Sequence, residues 1–146
     1  MEDEKSTKIL LKNLEIQWND HIQTRNQTWK ALQISAVVAL ALIGLDWKVN
    51  HWALNIGTAI LLFFVSFFGM QITIRHRNNV EVKKFQIINE LERKLNLSAE
   101  HVLPGKIKWW DVFKLRKANT SLFILRMQFV IFLFSMIYLA NKVFFS

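Results

Sequence analysis

The chain has 146 residues, 52% hydrophobic and 13% aromatic, with a formal net charge of +8, one proline and no cysteine. The length suits one domain, and the absence of cysteine excludes a disulfide framework, a thiolate metal site and a cysteine nucleophile. The start, MEDEKSTK, is acidic and polar, unlike a secretory signal, which opens on a basic segment followed by an apolar core.

Residues 1–28 are predicted as an amphipathic helix. Leu11, Leu14, Trp18, Ile22, Arg25 and Trp29 recur at steps of three and four, the helical period. No proline or glycine separates this stripe from the apolar run that follows, so one long helix is expected. The stripe is narrow and suits packing against another helix better than lying on lipid. His21 and Arg25, four residues apart near Trp29, read as the polar end of that seam, with a ligand or gating role as the alternative.

Residues 29–74 are predicted as a transmembrane hairpin. A hydrocarbon core of ~30 Å needs roughly 20 helical residues, and two runs meet that length. WKALQISAVVALALIGLDW covers residues 29–47, and WALNIGTAILLFFVSFFGMQITI covers residues 52–74. Trp29, Trp47 and Trp52 stand at the ends, where amphipathic rings favour the headgroup layer. Asn55, Thr58, Leu62, Ser66, Gly69 and Thr73 recur at helical steps along the second run. Such a small and polar stripe suits close helix packing; pore lining is the alternative. Ala31, Ser35 and Ala39 make a similar small face on the first run.

Residues 75–121 are predicted as a basic helical region. Phe85, Ile88, Leu91 and Leu95 form a second stripe, with Glu90, Glu92, Arg93 and Lys94 largely off it and expected to be solvated. This helix should pack on the first one or on a neighbouring copy. NLSAEHVLPGK then holds the Pro-Gly pair and marks a turn. In KIKWWDVFKLRK, the residues Lys106, Lys108, Trp109, Trp110, Lys114, Arg116 and Lys117 mix bases with indoles. Such a mixture could stack nucleobases, but it stands just before an apolar run and reads better as an interfacial helix contacting anionic lipid headgroups.

The third span is predicted over residues 122–142, with 143–146 as a short tail. Arg126 lies one turn inside it, at the same depth as Gln33 in the first span and Gln71 in the second. A long cationic side chain there can snorkel to the interface. Alternatively, the three residues form a shared polar layer or the inner mouth of a pore, since ionisable groups within spans avoid lipid. Three spans cannot enclose a water column alone, so a pore would need several copies.

Lysine and arginine counts set the orientation. The segment through Lys30, at the start of the first span, carries five and the segment Arg75–Ser121 eleven, whereas the hairpin loop and the outer end of the third span carry one each, Lys48 and Lys142. The basic side is expected to be cytoplasmic, with the N-terminus inside and the C-terminus outside. The positive charge is thus mainly a topology signal, and membrane lipid ranks above nucleic acid as a partner. The sequons at Asn26, Asn96 and Asn119 fall on the cytoplasmic side, where glycosylation is not expected.

His21, His51, His76 and His101 are scattered without metal-ligand spacing, and there is no Gly-rich phosphate loop or nucleophile elbow. No ionisable pair is expected inside the spans to carry protons, which argues against a secondary transporter. No catalytic residue, metal or cofactor is expected. The fold class is all-α, an integral membrane protein with three transmembrane helices and cytoplasmic amphipathic helices.

HIQTRNQTWKALQ leading into a span and RHRNNVEVKKFQIINELERKL leaving one give a further reading. Over residues 15–97, through Lys84, Phe85, Ile88, Glu90, Leu91 and Glu92, the chain resembles RipA-like octameric small bacterial inner-membrane proteins. Membrane accessory proteins of RNA-targeting CRISPR systems and other two-span defence effectors share that general plan. The resemblance implies a homo-oligomer in the cell inner membrane, acting as a pore or ion channel in antiviral defence or stress. The third span departs from the two-span pattern. The rival expectation is a non-conducting adaptor that anchors a cytosolic protein through the Leu11–Trp29 and Phe85–Leu95 stripes.

Overall fold

The computed structural model describes residues 2–49, 51–97, 105–114 and 119–144. Their regular structure is entirely helical: α1 (Glu2–Lys48), α2 (Trp52–Arg75), a π-helical turn (His76–Glu81), α3 (Val82–Lys94), a 3-10 turn (Trp109–Phe113) and α4 (Thr120–Phe144). Three of these helices are long and apolar enough to cross a membrane. The 24 residues of α2 and 25 of α4 extend about 36 and 38 Å at ~1.5 Å per residue, more than a ~30 Å hydrocarbon core requires.

α1 runs unbroken for 47 residues. It ends one residue past the predicted end of the first span, and α2 begins at Trp52, as predicted, which leaves residues 49–51 as the connection. The His51 carbonyl accepts the Asn55 N–H at 3.0 Å and starts α2. α3 ends at Lys94, and two residues on Asn96 has a φ of 53°, a left-handed conformation that asparagine tolerates better than most residues. Leu97 N–H then reaches the Glu92 carbonyl at 3.0 Å and Asn96 N–H the Arg93 carbonyl at 3.2 Å. This pair of bonds satisfies the last carbonyls of the helix. The Pro-Gly turn predicted further on lies mostly outside the described residues, which resume at Gly105.

The chain divides into two compact units. One contains α1 up to Gln27 together with Arg75–Ile107; the other contains Thr28–Ile74 and the chain from Lys108 onward. In the first unit, Trp18 meets Phe85 edge to face at 6.2 Å, and His21 meets the same ring at 4.8 Å. Lys84 bridges to Asp20 and donates to the Thr24 hydroxyl at 2.7 Å. Ile88 is fully buried. α3 therefore packs on α1 of its own chain.

The core of the second unit is Leu42, Ala59 and Leu62, with Val38, Ala39, Ile131, Tyr138 and Leu139 against it. Phe63 and Phe132 lie 4.9 Å apart beside them. α4 opens on Asn119, whose side-chain oxygen accepts the Leu122 N–H at 2.8 Å, the bond expected of an N-cap.

The expected interfacial helix over Lys106–Lys117 is not an α-helix in its described part. Asn78 takes both backbone groups of Ile107, accepting its N–H at 2.8 Å and donating to its carbonyl at 2.7 Å. Those groups are then lost to a helical ladder, and Lys108 is extended. Only the short turn Trp109–Phe113 follows, closed by the Asp111 carboxylate accepting the Lys108 N–H at 2.9 Å.

Candidate functional site

An apolar helix carries a hydroxyl cheaply when the hydroxyl bonds back to its own preceding turn. Ser35 donates to the Ala31 carbonyl at 3.0 Å, Ser66 to Leu62 at 2.7 Å, Thr73 to Gly69 at 2.9 Å and Ser135 to Phe132 at 2.7 Å. All four side chains are fully buried. The stripe expected on α2 is therefore internal, with one exchange: Ala59 is buried where Thr58 was expected, and Thr58 is half-buried and bonded to the Leu54 carbonyl.

Two polar clusters cross between helices of this unit. In the first, Asp46 Oδ1 accepts from Asn55 Nδ2 at 2.9 Å and from the Tyr138 hydroxyl at 2.8 Å, and it pairs with Lys142 Nζ at 2.8 Å. One carboxylate oxygen thus ties α1, α2 and α4 together. Asp46 and Lys142, at the ends of the first and third predicted spans, form an ion pair that the sequence reading does not name. In the second cluster, Gln128 of α4 is fully buried, and its Oε1 accepts from the Thr73 hydroxyl at 3.1 Å.

The predicted polar layer of Gln33, Gln71 and Arg126 is not assembled within one chain. Gln33 and Gln71 are exposed, and Arg126 is half-buried. The Arg126 guanidinium donates to the carbonyls of Val112 and Lys114. It binds the backbone that leaves the 3-10 turn, a use that no periodicity in the sequence announces.

In the other unit, a buried charged cluster forms around the π-helical turn. A wider turn brings residues four and five apart to one face. His76 and Arg77 therefore both meet Glu81, with His76 Nε2 at 3.8 Å from Oε1 and the Arg77 guanidinium paired to Oε2. π-turns of this kind recur at functional sites. His21, His76 and Glu81 are all buried. Burial pushes both imidazoles below the ordinary histidine value; Glu81 opposes the shift, and Lys84, Arg77 and, for His21, Arg25 reinforce it. No group of three or more histidines or carboxylates among the described residues is arranged to hold a metal ion.

The stripe residues divide. Leu14, Trp18, Phe85, Ile88, Leu91 and Leu95 are buried or half-buried within the chain, whereas Leu11, Ile22 and Arg25 remain exposed. Glu92, expected to be solvated, is buried beside Ile88, four residues away on the same face. Glu90 stays exposed and pairs with Lys94 at 3.0 Å. Lys106, Lys108, Trp109, Trp110 and Lys114 are exposed, while Arg116 and Lys117 lie outside the described residues.

Sequence reasoning missed Asp46, Gln128, Tyr138 and Lys142, together with the pairing of His76 with Glu81. A lone aspartate near the end of an apolar run was a usable signal, because a charge there requires a partner. The spacing of five between His76 and Glu81 was not, since it matches no α-helical face. No family model, curated protein or solved structure matches the chain, and the resemblance to RipA-like proteins rests only on the residues quoted for it.

Proposed function

We propose that this chain is a multi-pass inner-membrane adaptor, non-conducting, with its N-terminus cytoplasmic and its C-terminus outside. The unit formed by the first part of α1 and by α3 would hold a cytosolic protein partner. The orientation follows from the lysine and arginine asymmetry. The observation that carries the non-conducting reading is the internal consumption of polarity: Asn55, Ser66, Thr73 and Gln128 are fully buried inside one chain. Asn55 Nδ2, the Ser66 and Thr73 hydroxyls and Gln128 Oε1 all form hydrogen bonds within that chain. Side chains used this way do not line a water column.

The remaining exposed apolar residues support a docking role. Ile9, Leu11, Ile16 and Ile22 on α1 and Ile87 on α3 are each about half exposed. Liposome-reconstituted protein should pass no ions above the lipid background. Leu11→Asp with Ile22→Asp should leave membrane insertion intact while releasing the partner. Ion flux in the purified protein would overturn this reading.

A second reading, a homo-oligomeric pore, is favoured by Gln33 and Gln71, which are exposed on a single chain and would be satisfied on a ring axis. It predicts a closed ring by native mass and a flux altered by Gln71→Leu.

A further inference from the structure

The turn Trp109–Phe113 exposes its aromatic residues, with Trp109 58%, Trp110 48% and Phe113 69% accessible. It is nevertheless firmly held. The Phe113 ring meets Phe129 edge to face at 5.3 Å, and Arg126 binds the carbonyls of Val112 and Lys114. Arg126 and Phe129 stand six and nine residues past Thr120, the first residue of α4, or about 9 and 14 Å along its axis. The turn therefore lies beside α4 and not ahead of it.

Its charge is one-sided. Lys108 lies 5.4 Å over the Trp110 ring, and Lys114 pairs with Asp111 at 2.7 Å. Asp111 is buried and also accepts the Lys108 N–H. Lys108, Lys114 and Arg126 thus stand around the turn with one carboxylate, Asp111, which is buried and pairs with Lys114. Along α4, Phe123, Met127, Val130, Phe134 and Ile137 form an exposed apolar stripe at helical steps.

We propose that the Trp109–Phe113 turn is an anchor for anionic phospholipid that sets how deeply α4 sits, with the headgroup layer at the level of Arg126. This inference rests on the membrane reading above. Indole rings favour the headgroup region, and lysines beside them attract phosphate from the cytoplasmic leaflet. A nucleic acid strand fits less well. Lys108 covers a face of Trp110, and a bound strand would run beside the apolar surface of α4.

The test uses the full chain in phosphatidylcholine vesicles with and without phosphatidylglycerol, their acyl chains brominated at a shallow or a deep carbon. The chain has six tryptophans, so the signal of interest is the difference between wild type and the variant Trp109→Phe with Trp110→Phe. Shallow bromines should quench that component at least about two-fold more than deep ones, as for other interfacial indoles. Lys108→Gln should raise the phosphatidylglycerol fraction needed for the half-maximal blue shift about five-fold.

Equal quenching at both depths, or quenching indifferent to phosphatidylglycerol, would overturn the anchor. So would an oligonucleotide that shields these tryptophans from acrylamide, which would assign the turn to nucleic acid. Alkaline carbonate extraction of the same vesicles separates the two levels. A chain retained by the vesicles but unquenched at Trp109 and Trp110 sinks the anchor alone, whereas a chain released by carbonate sinks the membrane reading itself.

Discussion

Gly69 on α2 and Gln128 on α4 meet so closely that a Cβ added at position 69 would stand 2.6 Å from the Gln128 amide nitrogen and 3.1 Å from its amide carbon. Glycine here serves close approach, since the amide lies over the backbone of α2 and accepts from Thr73 one turn away. Gly69→Ala gains about 1 kcal/mol of helix propensity but displaces a fully buried amide and breaks that bond, a loss of about 1–3 kcal/mol. The net expectation is destabilisation. In a Gln128→Ala background the obstruction is gone, and Gly69→Ala should become neutral or stabilising. The coupling between the two changes, read by denaturation in mixed micelles, checks the contact; additive effects would contradict it.

Asp46 should be the most sensitive polar position of the second unit, because a single oxygen serves Asn55, Tyr138 and Lys142. Asp46→Ala leaves three donors without their acceptor and should cost about 2–4 kcal/mol. Asp46→Asn retains a carbonyl oxygen for Asn55 and Tyr138 and loses only the ion pair, so a smaller loss is expected, similar to that of Lys142→Met. The order of the three variants in a micelle denaturation series is the measurement. A loss from Asp46→Asn as large as that from Asp46→Ala would show that the charge matters more than the shared oxygen.

The parts of this fold legible in the sequence are those governed by local period and length. Apolar runs marked the three long helices, and the face of α2 was found to within one exchange, Ala59 for Thr58. Ile88 and Phe85 were correctly placed on the inner side of α3. The parts not legible depend on pairs distant in the chain or on broken periodicity. Asn78 holds Ile107 across 29 positions, and nothing local warns that this contact prevents a helix at Lys106–Lys108. Glu92 has an acidic residue's usual preference for water, yet its spacing from Ile88 places it inside. Gln128 was overshadowed by Arg126 two residues earlier, although glutamine is short enough of charge to be buried with a single hydroxyl partner.

The first unit should weaken in acid. His21 and His76 are held below the ordinary histidine value chiefly by burial, so in the folded chain they take up protons at lower pH than in the unfolded one. The unfolded state binds more protons over the window from about 6.5 downward to the depressed values, and stability therefore falls with pH there. Well above about 6.5 both states are neutral at these positions and the contribution is constant. The slope is at most about 1.4 kcal/mol per pH unit for each histidine. His21→Phe preserves a ring against Trp18 and Phe85 and should flatten part of the slope, and adding His76→Phe should flatten more. Glu81→Gln removes the group that favours the protonated imidazoles, so their titration should move still lower. Hydrogen exchange of the α3 amides between pH 7.5 and 5 reads these differences; protection independent of pH in the wild type would refute the burial argument.

Arg126 should control the attachment of the 3-10 turn, because its guanidinium reaches two carbonyls that a smaller or neutral side chain cannot hold together. Arg126→Leu removes both donors and leaves the Val112 and Lys114 carbonyls to find water. Phe113 on Phe129 is then the main aromatic contact keeping the turn beside α4. Arg126→Lys retains a charge but offers a point donor in place of a planar fork, so an intermediate effect is expected. Trypsin cleavage after Lys108 and Lys114 is the measurement, since backbone held in a turn resists a protease that needs an extended segment. Cleavage should be fastest in Arg126→Leu, slower in Arg126→Lys and slowest in the wild type, and Phe113→Ala should add to the Arg126→Leu effect. If Arg126→Leu leaves the cleavage rate unchanged while Phe113→Ala raises it, the aromatic contact alone anchors the turn, and the arginine's place one turn inside α4 would need the shared polar layer of an oligomer to explain it.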